Sequence, residues 1–311
     1  VDYQVCTRCV MDTTASDIVF DENGVCNYCT TYLKRMDDAE AQIIDHQLHR
    51  DELISAIKAD GRGKDYDCIV GVSGGVDSSY ALYLAVKHGL RPLAVHLDNG
   101  WDAELAVQNI ASMVDKLGVD LYTHVIDWEE NRDLQLSFFK ANVVDIELLM
   151  DNAMLALNYQ QAAKYGLKYI LFGYNMATEG MNIPPGWNHY KYDVYNIRKI
   201  HKRFGNVPIK THPLFSTIDS LKYSYINRIK GISFLDYFPY NKFEALEVLS
   251  IADNDIRDFS ILKKLHSLEE VNVTGNPNAN QSEQLAILEE LREQGIIVIG
   301  LQKTVVGRSD G

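Results

Sequence analysis

No run of about 18 apolar residues occurs anywhere in the 311-residue chain, so a membrane-spanning helix is excluded. Val1-Asp2-Tyr3-Gln4 has neither a basic n-region nor an apolar h-region, so no signal peptide is expected and the protein reads as cytoplasmic. Basic residues are in deficit. Thirty Lys/Arg stand against 43 Asp/Glu, for a net charge of −13, which argues against a nucleic-acid partner. Only one cysteine, Cys68, lies beyond residue 29. Apolar residues still make up 46% of the chain, enough to offset ordering entropy, so disorder over most of the chain is excluded.

The other four cysteines form two C-x-x-C pairs, Cys6/Cys9 and Cys26/Cys29. Two such turns supply four soft thiolates to a closed tetrahedral site, and the spacing points to structural zinc. Four thiolates also hold iron–sulfur clusters. Disulfides are disfavoured because nothing suggests export. Residues 18–20 read as a short strand and residues 21–24 as a turn. A segment of about 30 residues cannot bury a core and needs such a staple.

A helical linker is expected over residues 34–62. Residues 68–72 then form a short apolar run, followed by Ser73-Gly74-Gly75-Val76-Asp77-Ser78-Ser79 and a helical stretch to about residue 88. A Gly/Ser turn between a strand end and a helix start aims N–H groups and the helix dipole at one spot, which suits phosphate. Gly74 and Gly75 allow close approach, and Ser73, Ser78 and Ser79 carry hydroxyl donors. Asp77 makes sense beside phosphate through a bridging Mg2+. The run lacks the lysine of the G-x-x-x-x-G-K-[ST] loop. Further apolar runs at 92–98, 121–126 and 169–175 alternate with helical patterns at 102–117 and 131–165. That alternation predicts an α/β fold with a doubly wound parallel sheet. Ligands of such sheets sit beyond the strand C-termini, where Ser73, Asp98 and Asn175 converge.

The Ser-Gly-Gly-Val-Asp-Ser run resembles the pyrophosphate loop of the PP-loop ATP pyrophosphatase superfamily. The resemblance implies an adenine nucleotide alpha hydrolase-like fold and splitting of ATP to AMP and pyrophosphate. It implies that Val95, His96, Leu97 and Asp98 cup the adenine, and that Gly173 and Asn175 face the α-phosphate. Lys210, in Ile209-Lys210-Thr211-His212-Pro213-Leu214, matches a late basic segment that neutralises the phosphates. Asp77, Ser78 and Lys210 are then the catalytic candidates, with Glu179 a second candidate Mg2+ ligand beside Asp77.

Two motifs narrow the resemblance. They are Cys6 to Asp12 with Phe20 to Cys29, and Lys222 to Asn227 with Ile232 to Lys242. Both resemble bacterial N-acetyl sugar amidotransferases of surface-polysaccharide, including lipopolysaccharide, biosynthesis. That resemblance implies adenylation of an acetamido oxygen and displacement of AMP by ammonia, giving an acetamidino sugar. No glutaminase nucleophile is evident, so a separate glutaminase subunit is expected to supply ammonia. Residues 186–231 hold nine Lys/Arg and two Asp, a basic island suited to an acidic or nucleotide-linked sugar. Arg198, Lys199, Lys202 and Arg203 are the candidates there. Eleven tyrosines between residues 159 and 240 fit either a stacking wall or ordinary core use. The rival class is a tRNA-modifying thiolase, which generally needs cysteines beyond the zinc ligands.

After a catalytic domain over 63–247, the family's pattern is lost. Leu249, Ile251, Asn254 and Ile256, then Phe259, Leu262, Leu265 and Leu268, then Val271, Val273 and Asn276 resemble leucine-rich repeats. A helix at 282–294 and a strand at 296–299 would close this tail, residues 248–311; an ordinary β-α-β appendage is the alternative reading of its fold, and partner binding its alternative role. The knuckle is placed at residues 1–33.

Overall fold

A computed structural model of the chain describes residues 2–180, 183–240, 259–264, 270–273 and 276–299. It divides into two compact units, Val1–Pro239 and Tyr240–Gly311.

The first unit opens with the cysteine turns, bridged by isolated pairings of Val5 with Asp12 and Phe20 with Cys26. Helix α1 (Asn27–Leu48) starts one residue after Cys26, so Cys29 lies in its first turn. Helix α2 is Arg50–Asp60. Then come β1 (Cys68–Gly71), α3 (Val76–Lys87), β2 (Pro92–Asp98), α4 (Glu104–Leu117) and β3 (Leu121–Val125). Next are α5 (Trp128–Ala141), α6 (Leu148–Lys164), β4 (Tyr169–Phe172), α7 (Met176–Glu179), α8 (Val194–Phe204), α9 (Thr217–Leu221) and β5 (Lys230–Ser233).

The five strands form one parallel sheet in the order β3-β2-β1-β4-β5. β1 is central and its first three residues are fully buried, as expected of a parallel strand covered on both faces. The α/β fold expected from the alternation is therefore present. Asp67 fixes the entry to this centre. Its buried carboxylate accepts from the Arg91 backbone N–H at 2.8 Å and pairs with the Arg91 guanidinium at 2.6 Å.

The helical pattern at 131–165 is two helices, not one. α5 ends on Asn142, which takes the left-handed conformation at φ 54°. Asparagine tolerates that region through its short polar side chain. The break lets α6 turn back under the sheet. Leu148, Leu149, Ala153, Leu157 and Ala162 pack there with Ile69, Val95, Ile170 and Leu134. The buried carboxamide of Asn152 donates to the Lys191 and Phe215 carbonyls and accepts from the Phe215 N–H. It thereby ties two loops to α6. Of the tyrosines of this region, Tyr159, Tyr192 and Tyr223 surround the buried Phe215 ring, while Tyr174, Tyr190, Tyr195 and Tyr225 are exposed.

In the second unit, β6 (Glu270–Asn272) pairs in parallel with β7 (Ile297–Ile299), connected through α10 (Ser282–Glu293). Phe259, Leu262, Val271, Val273, Ala279, Leu288 and Leu291 form its core. Of the repeat-like positions, Leu249, Ile251, Asn254, Ile256, Leu265 and Leu268 lie outside the described residues. No described helix is long and apolar enough to cross a membrane.

Candidate functional site

At the C-terminal end of β1 the chain stays paired for one more residue, with the Val72 N–H donating to the Val95 carbonyl at 2.9 Å. It then turns through Ser73, Gly74 and Gly75 into α3. Gly74 adopts φ +75°, and a Cβ there would lie 2.5 Å from the Ala106 carbonyl of α4. On the opposite side a Cβ on Gly173 would lie 2.7 Å from the Ser78 nitrogen. Backbone therefore presses on the loop from α4 and from the end of β4, and only glycine fits at either contact. Asn109 adds a hydrogen bond to the Gly74 carbonyl at 3.4 Å.

The three loop serines do different work. Ser78 Oγ accepts from the Ser73 N–H at 3.2 Å, lies 3.1 Å from Ser73 Oγ and donates to the Gly75 carbonyl at 3.2 Å. It braces the turn from within. Ser79 is buried and its N–H donates to Gly75, as the helix demands. Ser73 is exposed at the rim. α3 has no side-chain N-cap, so its first N–H groups and positive dipole end face the turn. Asp77 stands in that first helical turn.

β2 contributes Val95, His96, Leu97 and Asp98. His96 is buried, with Nδ1 3.0 Å from the Val72 carbonyl and Nε2 3.4 Å from the Asp102 carboxylate. It ties the end of β1, just before the Ser73–Gly75 turn, to the segment after β2. Asp98 Oδ1 accepts from the Gly100 N–H at 2.9 Å. Beyond β4, Asn175 is 1% exposed while Glu179 is exposed. Asp236 accepts from the Met176 N–H at 2.9 Å and anchors this turn. Burial pushes the Asp236 carboxyl up, against that hydrogen bond.

Glu130 holds the Lys210 segment. It lies in the first turn of α5 and is 3% exposed. Its carboxylate accepts from the backbone N–H groups of Lys210, Thr211 and His212 and from the Thr211 hydroxyl. The Lys210 side chain stays exposed. His212 is buried, and burial pushes its imidazole down to about 4 despite the nearby Glu130 charge.

A cavity of about 390 Å³ opens beside the turn, lined by Gly71, Val72 and Ser73, by Val95 and Leu97, by Met154 and Asn158 of α6, and by Phe172. Lys191 and Asp151 also line it, paired at 2.8 Å, and Lys191 pairs with Asp145 at 2.8 Å as well. The basic residue at this cavity is therefore Lys191. Arg198, Lys199, Lys202 and Arg203 project from α8, all exposed. Lys199, Lys202 and Arg203 line a separate open cleft with Asn196 and Phe204. None of the four reaches the lining of the strand-end cavity. Glu130 and Lys191 are not legible as site residues, because their partners lie tens of residues away and no local pattern marks them.

In the knuckle the four Sγ atoms of Cys6, Cys9, Cys26 and Cys29 lie within 4.8 Å of one another. Cys6 and Cys29 are 3.9 Å apart and Cys9 and Cys26 3.7 Å. A tetrahedral zinc at ~2.3 Å from each sulfur needs sulfurs about 3.8 Å apart. The set therefore fits zinc, and all five cysteines of the chain are free. Burial opposes ionisation of Cys6, but N–H donors from Arg8, Cys26 and Cys9 outweigh it and bring the thiol down to about 6. Among the described residues no second group of three His, Cys, Asp or Glu converges this way. A Mg2+ at Asp77 and Glu179 would have to draw its remaining ligands from water and substrate phosphate, as Mg2+ commonly does.

No family model matches the chain, and no curated protein sequence does. Among solved structures, an NMN synthetase from Francisella tularensis aligns over 62% of this chain and 89% of its own, at 16% identity and a TM-score of 0.31. An NH3-dependent NAD synthetase from Campylobacter jejuni aligns over 59% of this chain and 84% of its own, at 15% identity and a TM-score of 0.34. A predicted subunit of tRNA methyltransferase from Methanocaldococcus jannaschii aligns over 74% of this chain and 88% of its own, at 14% identity and a TM-score of 0.34. Likenesses this weak carry no argument about function, which must come from the chain's own residues.

Proposed function

We propose that the chain is a PP-loop enzyme that uses ATP to activate the acetamido group of an N-acetylated sugar for attack by ammonia. The observation that carries this reading is the placement of Ser73–Ser79. The run lies at the end of the central strand, at an uncapped helix start, with backbone pressing on both sides. A turn held that rigidly suits a polyphosphate and its departing pyrophosphate.

The chemistry follows from a poor leaving group. The acetamido oxygen attacks the α-phosphorus of ATP, and the bond to pyrophosphate breaks. Ammonia then adds to the activated carbon, AMP departs with the former amide oxygen, and a proton is lost. The product is an acetamidino sugar. Loop N–H groups receive the charge that builds on pyrophosphate, and Lys210 adds a cation on a segment set by Glu130. Asp77 and Glu179 would hold Mg2+, which would offset phosphate charge. Zinc on the four thiolates would be structural, since the set leaves no open position.

The thiolase alternative lacks a nucleophile. Cys68 is fully buried in β1, and burial pushes its thiol well above the ordinary range. The ammonia source is proposed to be a separate glutaminase subunit, so turnover should run on ammonium salts alone. The test is pyrophosphate release from ATP across a panel of acetamido sugars with ammonium present. Release should depend on the sugar and vanish in Asp77→Ala. Release that survives that substitution contradicts the phosphate-loop assignment.

A further inference from the structure

Two tryptophans lie outside the machinery described so far. Trp101 is 58% exposed and Trp128 is 49% exposed. Their ring centroids are 6.3 Å apart and their planes meet at 57°. Large rings left in water side by side are a costly use of indole unless something covers them.

The turn that presents Trp101 is held at each residue. Asp98 Oδ1 accepts from the Gly100 N–H at 2.9 Å, and Asn99 Oδ1 accepts from the Trp101 N–H at 2.8 Å. Gly100 takes φ +78°, and a Cβ there would sit 3.4 Å from the Trp128 ring. From α5, the Asn131 Nδ2 donates to the Asn99 carbonyl at 3.2 Å. Asn131 is 2% exposed, and its Oδ1 is a buried acceptor with no hydrogen-bond partner.

The pair is also connected along the chain to two parts of the proposed ATP site. Trp101 precedes α4, whose Ala106 touches Gly74 of the phosphate turn. Trp128 opens α5, whose Glu130 anchors the Lys210 segment. Both indoles are thus joined by a few residues of chain to elements that hold the proposed ATP site.

We infer that Trp101 and Trp128 form the platform for the pyranose ring of the acceptor sugar. This rests on the proposed acetamido-sugar reaction. A planar base stacks against one ring or between parallel rings. Two faces splayed at 57° instead match a puckered ring, whose axial C–H groups point to more than one side and meet the negative ring faces. The adjacent buried acceptor of Asn131 suits the remaining need of such a ligand, hydroxyl groups that donate.

The test is tryptophan fluorescence, titrated with N-acetylated hexosamines and their nucleotide-diphosphate forms, with pyrophosphate release read on the same samples. The wild type should show a saturable change with an acetamido sugar. The affinity, read on every variant by isothermal titration calorimetry, should weaken at least tenfold in Trp101→Ala and Trp128→Ala, persist in Trp187→Phe, and largely return in Trp101→Phe and Trp128→Phe. The KM for ATP should stay within twofold throughout. No response of the wild type to any sugar, a response only to ATP, or sugar binding unchanged in both alanine variants would each overturn the platform. Sugar binding through the indoles without pyrophosphate release would instead refute the proposed reaction and leave the platform standing.

Discussion

The cysteine knuckle and the proposed phosphate turn are both short polar segments, held in opposite ways. The knuckle's small core is made of its own residues, Cys6, Ala15, Cys26, Tyr28 and Cys29. Its shape is set by ligand spacing within a stretch of chain too short to fold on apolar burial alone. The phosphate turn has almost no core of its own. Its shape comes from Ala106 on one side and from Gly173 on the other, about 30 and 100 residues away. One loop should therefore fail when an ion is removed, and the other when a methyl group is added.

The largest effect is expected at the knuckle. Structural zinc contributes about 10 to 16 kcal/mol to small thiolate sites. Cys26→Ser, or a strong chelator, should drop metal content to below one zinc per chain and open residues 2–33 to protease. Circular dichroism from the sheet unit should change little. A knuckle that stays protease-resistant without metal would break the comparison.

The second effect is one methyl at the turn. Gly74→Ala forces a side chain onto a φ of +75° and against the Ala106 carbonyl. A strained residue of this kind costs about 1 to 3 kcal/mol, and a displacement near 1 Å can cost about a hundredfold in rate. Pyrophosphate release should fall by that order while zinc content is unchanged.

The third effect acts through Glu130. Glu130→Gln replaces a charged acceptor of three backbone N–H groups with a weaker, neutral one. Each buried N–H left without a partner costs about 1 to 3 kcal/mol. The Lys210 segment should loosen and the KM for ATP should rise more than sugar binding weakens. Equal changes in both would show that Glu130 supports the whole rim and not the phosphate flank.

The last effect is pH dependence, read in stability and not in turnover. His212 is pushed down to about 4 by burial. As pH falls from about 6.5, the ordinary value, toward 4, the unfolded chain takes up a proton that the folded chain refuses. Stability is therefore lost across that window. Burial works against the Asp133 charge too, yet N–H donors from Val207 and Asn206 and the His201 ring hold its pKa below the ordinary value. Its contribution is present above the unfolded carboxylate pKa and disappears lower, as pH falls through the folded value. Urea midpoints taken across acid pH should fall in two stages. His212→Gln should flatten the upper stage and Asp133→Asn the lower.

The same contrast explains what was legible in the sequence. The C-x-x-C pairs and the Ser-Gly-Gly-Val-Asp-Ser run are contiguous, so their chemistry shows in the residue order. The apolar runs at β1, β2 and β4 are legible for the same reason: a buried parallel strand needs apolar side chains on both faces. The break at Asn142 was not, because no proline or glycine marks it and only the left-handed turn ends α5. β5, with the polar and small residues of Lys230-Gly231-Ile232-Ser233, lacks the apolar run that marks a strand. Glu130 and Lys191 look like ordinary surface charges until the fold brings Thr211 to one and Asp145 and Asp151 to the other. The tyrosine-rich stretch fits either a stacking wall or core use from sequence alone, and the fold assigns Tyr159, Tyr192 and Tyr223 to the packing around Phe215. The exposed indole pair is assembled from residues that no motif joins.

The central claim is that the acetamido oxygen leaves as part of AMP. It is tested most directly by carrying a heavy-oxygen label in the acetamido carbonyl through one turnover with ATP and ammonium. The account predicts that the label appears in the phosphate of AMP, with unlabelled pyrophosphate formed in equal amount and an acetamidino sugar free of label. Label retained in the sugar, or appearing in inorganic phosphate beside ADP, would contradict it.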